Sequence, residues 1–333
     1  MKPDLRRSRF ASLASLLLLT ASAALPVAAF ELQAHRGGRG LAPENTLAAF
    51  ENALEIGVST LELDIGLTAD DVVVIAHDPQ LNPDLARDAQ GAWLADKGPA
   101  LRSLTLAQLQ GYDVGRIKPD SNYARQFAQQ RGRDGLRMPS LAQLFDKVAA
   151  LPGGKQLRFN IETKLDPTQP ELTASPEAIV GALLAEIARA GMGQRVAIQS
   201  FDWRTLALVA RLAPAMPRAY LTSPRTLKDS RWTAGLNGEQ YSSTPQLVKA
   251  AAGAGNAPVI WSPSFADLKP EQVREAQSLG FAVLPWTVNR REDMARLIDW
   301  KVDGIITDYP DVLRELMRER GMALPAAIKA PGS

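Results

Sequence analysis

Short apolar runs with the spacing of β-strands alternate, beyond residue 30, with stretches whose apolar residues recur with helical spacing. Eight strand–helix units can be counted when one β-branched run is treated as a hairpin arm. Eight parallel strands joined by crossover helices are what a (β/α)₈ barrel requires, so the pattern predicts an α/β protein with a single TIM barrel. The predicted strands are Leu32–His35, Thr60–Ile65, Leu157–Glu162, Val196–Ser200, Arg218–Leu221, Pro258–Trp261, Ala282–Thr287 and Gly304–Thr307.

The first predicted helix spans Pro43–Ile56 and illustrates how the helices are recognised. Its apolar residues Leu47, Phe50 and Leu54 fall on one face, Pro43 suits the first turn, and Gly57 suits the end. The remaining predicted helices cover roughly Pro176–Ala190, Trp203–Leu212, Thr244–Ala252, Pro270–Leu279, Arg290–Asp299 and Pro310–Arg320.

Three segments depart from this alternation. Val72–Ala76 lies close enough to the second strand to fold back on it as an antiparallel arm. Between residues 79 and 139 the periodicity fades, which predicts an insertion within the barrel that contains short helices such as Thr105–Gln110. The small, Pro-rich residues 324–333 predict a flexible tail. The barrel domain is therefore expected to cover residues 30–323.

The N-terminal 29 residues have the pattern of a secretory signal. Four basic residues precede an apolar run, Phe10–Leu19, that is too short to span a bilayer, and small residues follow it. Cleavage is expected between Ala29 and Phe30, which predicts a periplasmic or secreted protein. The Arg6-Arg7 pair raises twin-arginine export as an alternative, although the residues after it fit that motif poorly.

Composition narrows the function further. The apolar fraction of 46% is that of a globular protein with a full core. Removing the signal leaves 34 basic and 35 acidic side chains, and this balance does not favour nucleic-acid binding. The absence of cysteine excludes disulfides, a thiol nucleophile and a cysteine zinc site. No second apolar segment is long enough for a membrane span, and nothing in the sequence predicts the oligomeric state.

The candidate chemistry is concentrated between the chain's only two histidines, His35 and His77. Imidazole suits proton transfer near neutral pH, and Glu62 and Asp64, two apart on a predicted strand, suit a hard cation. Each group alone has an ordinary interpretation as a turn residue or as surface charge. Their coincidence at predicted strand ends, where barrel enzymes carry their reactive groups, favours a site.

A second pair of charged residues, Glu162 and Lys164, repeats this spacing on the third predicted strand. The pair can be a plain salt bridge. If Glu162 instead converges with Glu62 and Asp64, the three carboxylates would repel one another strongly at low dielectric. A divalent cation relieves that repulsion, and all-oxygen ligation favours Ca²⁺ or Mg²⁺ over zinc. Arg36 and Lys164 supply positive charge for an anionic substrate, and Gly37 permits close backbone approach.

These residues resemble the glycerophosphodiester phosphodiesterases, of the secreted bacterial kind. That family is similar to the phosphatidylinositol-specific phospholipases C in its barrel and its histidine pair. The resemblance extends over nearly all of the mature chain. It rests on His35-Arg36-Gly37, Pro43-Glu44-Asn45-Thr46, Glu62-Leu63-Asp64, His77-Asp78, Glu162-Thr163-Lys164, Gln199-Ser200-Phe201, Trp286-Thr287-Val288-Asn289 and Asp303-Gly304-Ile305-Ile306-Thr307-Asp308.

The resemblance implies a role for each matching residue. His35 and His77 would be the general acid and base, in an order that the sequence leaves open. The other implied roles are metal ligation by Glu62, Asp64 and Glu162, phosphate binding by Arg36 and Lys164, and an alcohol-side wall of Phe201 and Trp286. The resemblance also explains the insertion. One departure is that Leu81–Asp84 stands where the family often has Arg-Thr, which affects the insertion and substrate choice and leaves the metal site intact.

The implied reaction is metal-dependent hydrolysis of glycerophosphodiesters, such as glycerophosphocholine and glycerophosphoethanolamine, to sn-glycerol 3-phosphate and an alcohol. A cyclic phosphate would be the intermediate. One alternative is an enzyme that acts on lysophospholipids, like the related sphingomyelinases D, which an exposed apolar rim would favour. A remote alternative is a periplasmic binding protein that captures a small anionic ligand without turnover.

Overall fold

The computed structural model describes residues 29–329. The predicted signal therefore lies outside the described residues except for Ala29, and so do residues 330–333. The described chain contains nine strands, eight of which are parallel neighbours in one sheet. The strands are β1 (Glu31–Ala34), β2 (Thr60–Leu67), β3 (Val73–Ile75), β4 (Arg158–Thr163), β5 (Val196–Ser200), β6 (Arg218–Thr222), β7 (Val259–Pro263), β8 (Ala282–Val283) and β9 (Gly304–Thr307).

The parallel strands follow the order β8-β7-β6-β5-β4-β2-β1-β9. Backbone hydrogen bonds join the two ends of this sheet, from Asp303 N to Val283 O (3.0 Å) and from Ile306 N to Pro285 O (3.1 Å). With its crossover helices, the sheet forms a nearly closed (β/α)₈ TIM barrel, which confirms the predicted fold. The short strand β3 pairs antiparallel with β2, as the hairpin pattern predicted.

Helices separate most of the strands and cover the outside of the barrel. They are α1 (Leu47–Ile56), α2 (Leu106–Leu109), α3 (Asn122–Gln126), α4 (Leu141–Ala149), α5 (Pro176–Arg189), α6 (Trp203–Leu212), α7 (Pro224–Leu227), α8 (Thr244–Ala252), α9 (Pro270–Ser278), α10 (Arg291–Asp299) and α11 (Pro310–Glu319). Among the described residues, no helix combines the length and apolar character needed to cross a lipid bilayer.

The first helix begins later than predicted, at Leu47 instead of Pro43. Thr46 caps it by accepting a hydrogen bond from Ala49 N (3.2 Å), and Asn45 has a left-handed backbone conformation (φ 56°) that a helix interior does not allow. Residues 43–45 therefore form a loop. This difference matters because the loop directs the side chains of Glu44 and Asn45 towards the site described below.

The strand after α9 is shorter than predicted, because regular pairing ends at Val283. Pro285 lacks an N–H and cannot continue a regular ladder. The following residues still attach to both neighbouring strands, through Trp286 N to Pro263 O (3.1 Å) and Val288 N to Ile306 O (3.0 Å). The predicted extended segment to Thr287 is thus held in the barrel wall without regular strand pairing.

Strand β2 shows how the barrel separates its core from its charged interior. Successive side chains point to opposite faces of a strand. Leu61, Leu63 and Ile65 are fully buried in the hydrophobic core that β2 shares with residues of α1 and α4. Glu62 and Asp64 alternate with them and are also almost inaccessible to solvent. The predicted orientation of the two carboxylates away from the outer core is therefore confirmed.

The insertion at residues 79–139 is largely irregular but has its own small core. Helices α2 and α3 lie within it, and α2 matches the predicted short helix, with Thr105 as its cap. Its apolar side chains pack on the strand β3 side of the barrel, in a cluster that includes Val74, Leu81, Leu101, Leu109 and Met138. The insertion is therefore anchored to the barrel.

The described part of the predicted flexible tail packs on the barrel. Ile328 is 8% exposed, and its N–H donates to Leu54 O (2.8 Å). The Arg314 guanidinium donates to Pro325 O (2.7 Å). The composition of this segment gave no signal of these contacts, because they are made by single backbone groups and one apolar side chain.

Candidate active site

The loop after β1 places His35 at the carboxyl end of the strand, as predicted. Three consecutive residues then adopt left-handed conformations, Arg36 (φ 51°), Gly37 (φ 78°) and Gly38 (φ 85°). A Cβ on Gly37 would lie 2.9 Å from Ala49 Cβ, so glycine is required at this position. The turn directs Arg36 N to Glu62 Oε2 (2.8 Å), which ties the histidine loop to the acidic strand.

His35 is oriented by a carboxylate from the far end of the chain. Its Nδ1 lies 2.6 Å from Asp308 Oδ1, at the end of β9, and this bond favours the tautomer in which Nδ1 carries the proton. Burial lowers the pKa of His35 to about 4, with Asp308 opposing and Arg39 reinforcing that change. The imidazole is thus neutral at neutral pH, with Nε2 available as a proton acceptor.

His77 is oriented in the same way by its neighbour in the sequence. Its Nδ1 lies 2.7 Å from Asp78 Oδ1, and Asn82 Nδ2 donates to Asp78 Oδ2 (2.7 Å). Burial lowers the pKa of His77, and Lys164 adds to the effect. For Asp78, burial favours the protonated form, but the bonds from His77 and Asn82 outweigh it and lower the pKa to about 2. Asn82 lies in the segment that departs from the family pattern.

The three predicted metal ligands converge. Asp64 and Glu162 are paired in register on neighbouring strands β2 and β4, and Glu62 lies two residues before Asp64. Carboxylate oxygens of all three residues lie within 4.8 Å of one another. Asp64 Oδ1 is buried and has no hydrogen-bond partner among the residues that the structure describes, and the ammonium of Lys164 lies 3.8 Å from it. A buried carboxylate oxygen without a donor is costly unless a cation neutralises it.

Donors from strand β5 and from two loops hold other oxygens of this cluster. Gln199 Nε2 donates to Glu62 Oε1 (2.6 Å), opposite the Arg36 N–H on Oε2. Asn45 Nδ2 donates to Asp64 Oδ2 (3.0 Å). These contacts fix two of the three carboxylates while one oxygen of each of the three residues stays within 4.8 Å of the others. Neither Asn45 nor Gln199 had been assigned this role from the sequence, although both lie in the motifs that carry the family resemblance.

The proton affinities of the cluster reflect this crowding. Burial, and next the charge of Asp64, raise the pKa of Glu62 well above its ordinary value. Burial raises the pKa of Glu162 to about 7, although Lys164 opposes the rise. Burial would also raise the pKa of Asp64, but Arg36 and other cations hold it well below its usual range. Buried oxygens of this kind fit a hard divalent cation, which is what these three residues can hold.

The two predicted phosphate ligands border the cluster. Lys164 Nζ lies 2.7 Å from Glu162 Oε1, and Arg36 Nε lies 3.1 Å from Asp64 Oδ2. Arg36 Nη1 also donates to Glu44 Oε1 (2.8 Å). Sequence reasoning missed this role of Glu44 because its motif suited a helix start equally well.

Aromatic rings line one side of the site. The rings of Phe201 and Trp286 meet edge to face, with centroids 5.2 Å apart, as their predicted common wall requires. Trp286 is fixed by a hydrogen bond from Nε1 to Ser262 O (2.9 Å). A third ring, Trp232, lies 6.4 Å from Phe201 and was not assigned from the sequence.

These groups surround connected cavities at the barrel mouth. A cavity of about 120 Å³ is lined by His35, Arg36, Glu62, His77, Glu162, Lys164, Phe201 and Trp286, among others. A wider cleft of about 580 Å³ adjoins it, and both are lined by His77, Glu162, Lys164 and Phe201. The cleft continues past Arg225 and Trp232. The structure therefore brings eight of the nine predicted site residues around one cavity, and the ninth, Asp64, is buried next to Glu62 and Glu162. Their individual roles remain predictions.

A histidine pair beside three converging, buried carboxylates at the mouth of a (β/α)₈ barrel defines a class of phosphodiester hydrolases. The model of the glycerophosphoryl diester phosphodiesterase family matches residues 35–312. The chain belongs to this family, and it is an enzyme that hydrolyses glycerophosphodiesters.

Individual relatives agree with this assignment. A glycerophosphodiester phosphodiesterase from Caldanaerobacter subterraneus is 31% identical over 288 residues, which cover 86% of this chain and 98% of the relative. A solved structure from Silicibacter pomeroyi, described as a glycerophosphoryl diester phosphodiesterase, is 36% identical, covers 89% and 95% of the two chains, and has a TM-score of 0.79. An Oleispira antarctica phosphodiesterase in complex with its product sn-glycerol 3-phosphate shares the fold at 22% identity, a TM-score of 0.60 and coverage of 86% and 96%.

The raised pKa of Glu162, about 7, predicts that cation binding weakens as the pH falls. Below that pKa the free carboxyl carries a proton that a cation must displace, so the dissociation constant for Ca²⁺ or Mg²⁺ should rise about tenfold per pH unit for each proton released. Isothermal titration calorimetry at pH 8 and pH 6 measures this. Glu162→Gln should bind more weakly at both pH values and with a smaller dependence on pH. Equal affinity of the unaltered protein at both pH values would contradict the prediction.

Proposed function

We propose that the substrates are glycerophosphodiesters with small alcohols, such as choline, ethanolamine or a second glycerol, and that the products are sn-glycerol 3-phosphate and the free alcohol. The observation that carries the proposal is that both histidines of the chain, each with a carboxylate on Nδ1, border the same cavity as the three-carboxylate cluster. The product bound by the Oleispira antarctica phosphodiesterase agrees with it.

Glu62, Asp64 and Glu162 would hold one divalent cation in this proposal, Ca²⁺ or Mg²⁺, because all available ligand atoms are carboxylate oxygens. When bound, the cation supplies positive charge that polarises a phosphoryl oxygen and favours ionisation of a nearby hydroxyl. Arg36 and Lys164 line the same cavity, and their charge supports a role in binding the phosphate.

The two histidines then divide the proton transfers between them. The glycerol 2-hydroxyl attacks phosphorus while one imidazole accepts its proton at Nε2, and the other imidazole donates a proton to the oxygen of the departing alcohol. Water opens the resulting cyclic glycerol phosphate with the two roles exchanged. Asp308 and Asp78 keep the imidazole of His35 and that of His77 in the orientation that presents Nε2. The lowered pKa values keep the accepting imidazole neutral. The donating imidazole must first take up a proton at Nε2, and the carboxylate on its Nδ1 stabilises the imidazolium that then gives this proton to the alcohol oxygen.

Phe201 and Trp286 form the wall on the alcohol side in this proposal. The adjoining cleft of about 580 Å³ gives room for the alcohol to leave, past Trp232 and Arg225. A lipid substrate would instead need an exposed apolar rim. Among the described residues the exposed large apolar side chains are Leu212 and Leu324, and neither lines the cavity or the cleft. This distribution favours a water-soluble diester over a lysophospholipid.

We also propose that the enzyme acts in the periplasm or outside the cell, on the basis of the signal-like pattern of its first 29 residues. The protein recovered from the periplasmic fraction or the medium is then expected to begin at Phe30. Mass spectrometry of the N-terminal peptide identifies the first residue and tests this expectation. Recovery of the chain in the cytoplasm with residues 1–29 intact would contradict the proposal.

The direct test is release of glycerol 3-phosphate from glycerophosphocholine by the mature protein. Turnover should be lost in EDTA and regained when Ca²⁺ or Mg²⁺ is restored, because the carboxylate cluster needs the cation. A coupled glycerol 3-phosphate dehydrogenase assay measures the product. If EDTA leaves the turnover unchanged, the metal assignment fails; if lysophosphatidylcholine is cleaved and glycerophosphocholine is not, the lipid alternative replaces the proposal.

Replacing either histidine should nearly abolish turnover. A positioned acid or base contributes about 10²–10⁴-fold, so His35→Ala and His77→Ala should each lower kcat by at least about a hundredfold. Circular dichroism melts establish that each variant is folded. Tyr112→Phe, which alters an insertion side chain outside both cavities, is the matched control and should keep the full rate. Retention of more than about a tenth of the rate by both histidine variants would refute the two-histidine scheme.

A further inference from the structure

Arg39 lies four residues after His35 and contacts the same carboxylate. Its Nε donates to Asp308 Oδ1 (2.8 Å), the oxygen that also accepts the bond from His35 Nδ1 (2.6 Å). The other oxygen of Asp308 accepts from Asn289 Nδ2 (2.7 Å). Three donors on two oxygens therefore fix the plane of this fully buried carboxylate, and the carboxylate in turn fixes the imidazole.

The insertion holds the guanidinium of Arg39 in place. Nη1 donates to Tyr123 Oη (3.0 Å), on helix α3, and Cζ lies 4.7 Å from the ring centroid of Phe127. Gln130 Nε2 donates to the backbone oxygen of Arg39 (2.7 Å). A buried guanidinium held by a phenolic oxygen and an aromatic face has little freedom to reorient.

The loop itself does not depend on this guanidinium. Gly40 N donates to Asp308 O (3.1 Å), and Asn45 N donates to Arg36 O (3.0 Å). Arg131 N of the insertion donates to Leu41 O (2.9 Å). These backbone bonds attach the loop to the barrel and to the insertion. The Arg39 side chain is thus not needed to anchor the loop. It bonds Asp308, its Nη1 lies 4.0 Å from Glu44 Oε2, and it lines the cavity that both histidines border.

We propose that Arg39 is a positioning residue for His35, acting through Asp308, and that the insertion takes part in catalysis by holding Arg39 with Phe127 and Tyr123. This assigns a function to the part of residues 79–139 that contacts the β1 loop. The inference rests on the proposed role of His35 as an acid–base group.

A substitution of Phe127 tests the contact between the insertion and Arg39 more selectively than a substitution of Tyr123. The Tyr123 hydroxyl also bonds Glu44, which bonds Arg36, so its removal would disturb phosphate binding as well as Arg39. Phe127 forms no hydrogen bond to Glu44 and contacts the guanidinium of Arg39 directly, and its ring also packs against that of Tyr123, with centroids 4.9 Å apart. Trp93 provides a matched control, because it forms a similar pair with Arg87 (5.5 Å) elsewhere in the insertion.

The experiment compares Arg39→Gln, Phe127→Leu, the double variant and Trp93→Leu in the glycerophosphocholine assay with saturating metal. Arg39→Gln should lower kcat by about 10–100-fold, as loss of an outer partner of a functional side chain does, and should leave KM within about twofold. Phe127→Leu should lower kcat roughly threefold or more, but should add nothing in the Arg39→Gln background. Trp93→Leu should retain the kcat of the unaltered enzyme.

Imidazole NMR supplies a readout that does not depend on turnover. The tag-free enzyme has two histidines, so the ¹⁵N-labelled imidazole spectrum contains two residues, and His77→Gln assigns them. Arg39→Gln and Phe127→Leu should both shift the Nδ1 proton of His35 and leave that of His77 in place. Trp93→Leu should shift neither. Arg39→Lys keeps a positive charge near Asp308 but loses the bond to Tyr123, so its kcat should lie between those of the unaltered enzyme and Arg39→Gln. This variant tests the inference if Arg39→Gln does not fold.

The possible outcomes separate this inference from the proposed function. If His35→Ala abolishes turnover while Arg39→Gln keeps kcat and the His35 signal unchanged, the positioning role is refuted and the proposed function stands. If His35→Ala is fully active, the proposed acid–base role of His35 fails and this inference fails with it, while turnover of glycerophosphocholine still supports the proposed substrate class. Losses of equal size from Phe127→Leu in the presence and absence of Arg39 would mean that the insertion acts by another route.

Discussion

The arrangement of this protein depends on a repulsion that the fold maintains: three carboxylates with oxygens within 4.8 Å of one another in a buried space. Burial favours their protonated forms, and the charge of each raises the proton affinity of the next. Arg36, Lys164, Asn45 and Gln199 offset part of this cost. One oxygen of Asp64 still accepts no hydrogen bond among the described residues. The protein groups therefore neutralise the negative charge of the cluster only in part, and a bound cation would complete the neutralisation.

The orientation of His35 depends on closure of the barrel. His35 follows the first strand and Asp308 follows the last, and their contact joins positions 273 residues apart. Strands β1 and β9 are paired in register over four residues, so the imidazole is oriented only when the two ends of the chain have met. The other histidine takes its carboxylate from the adjacent residue, Asp78. One half of the proposed acid–base pair is therefore oriented by a sequence neighbour, and the other half is oriented only in the complete fold.

The sequence predicted what short-range patterns encode. Alternation along β2 placed Glu62 and Asp64 on one face, and the rarity of histidine drew attention to His35 and His77. It did not predict the pairing of Asp308 with His35 and Arg39, because such a contact depends on which strand ends meet and has no local periodicity. The start of α1 was misjudged for a related reason: Pro43 satisfies the preferences of a first helical turn, but the demands of the site on the two residues after it override them.

The insertion leaves the barrel wall after β3 but bonds the loop after β1, so two segments far apart in the sequence share one structural unit. Segments of this kind are poor candidates for modular exchange. An insertion transplanted from a relative would arrive without partners for Arg39 and Glu44 unless the recipient loop were altered with it. Changes that reshape the cleft for a new alcohol would therefore be selected together with changes in the histidine loop, and substrate range and catalytic rate would not evolve independently.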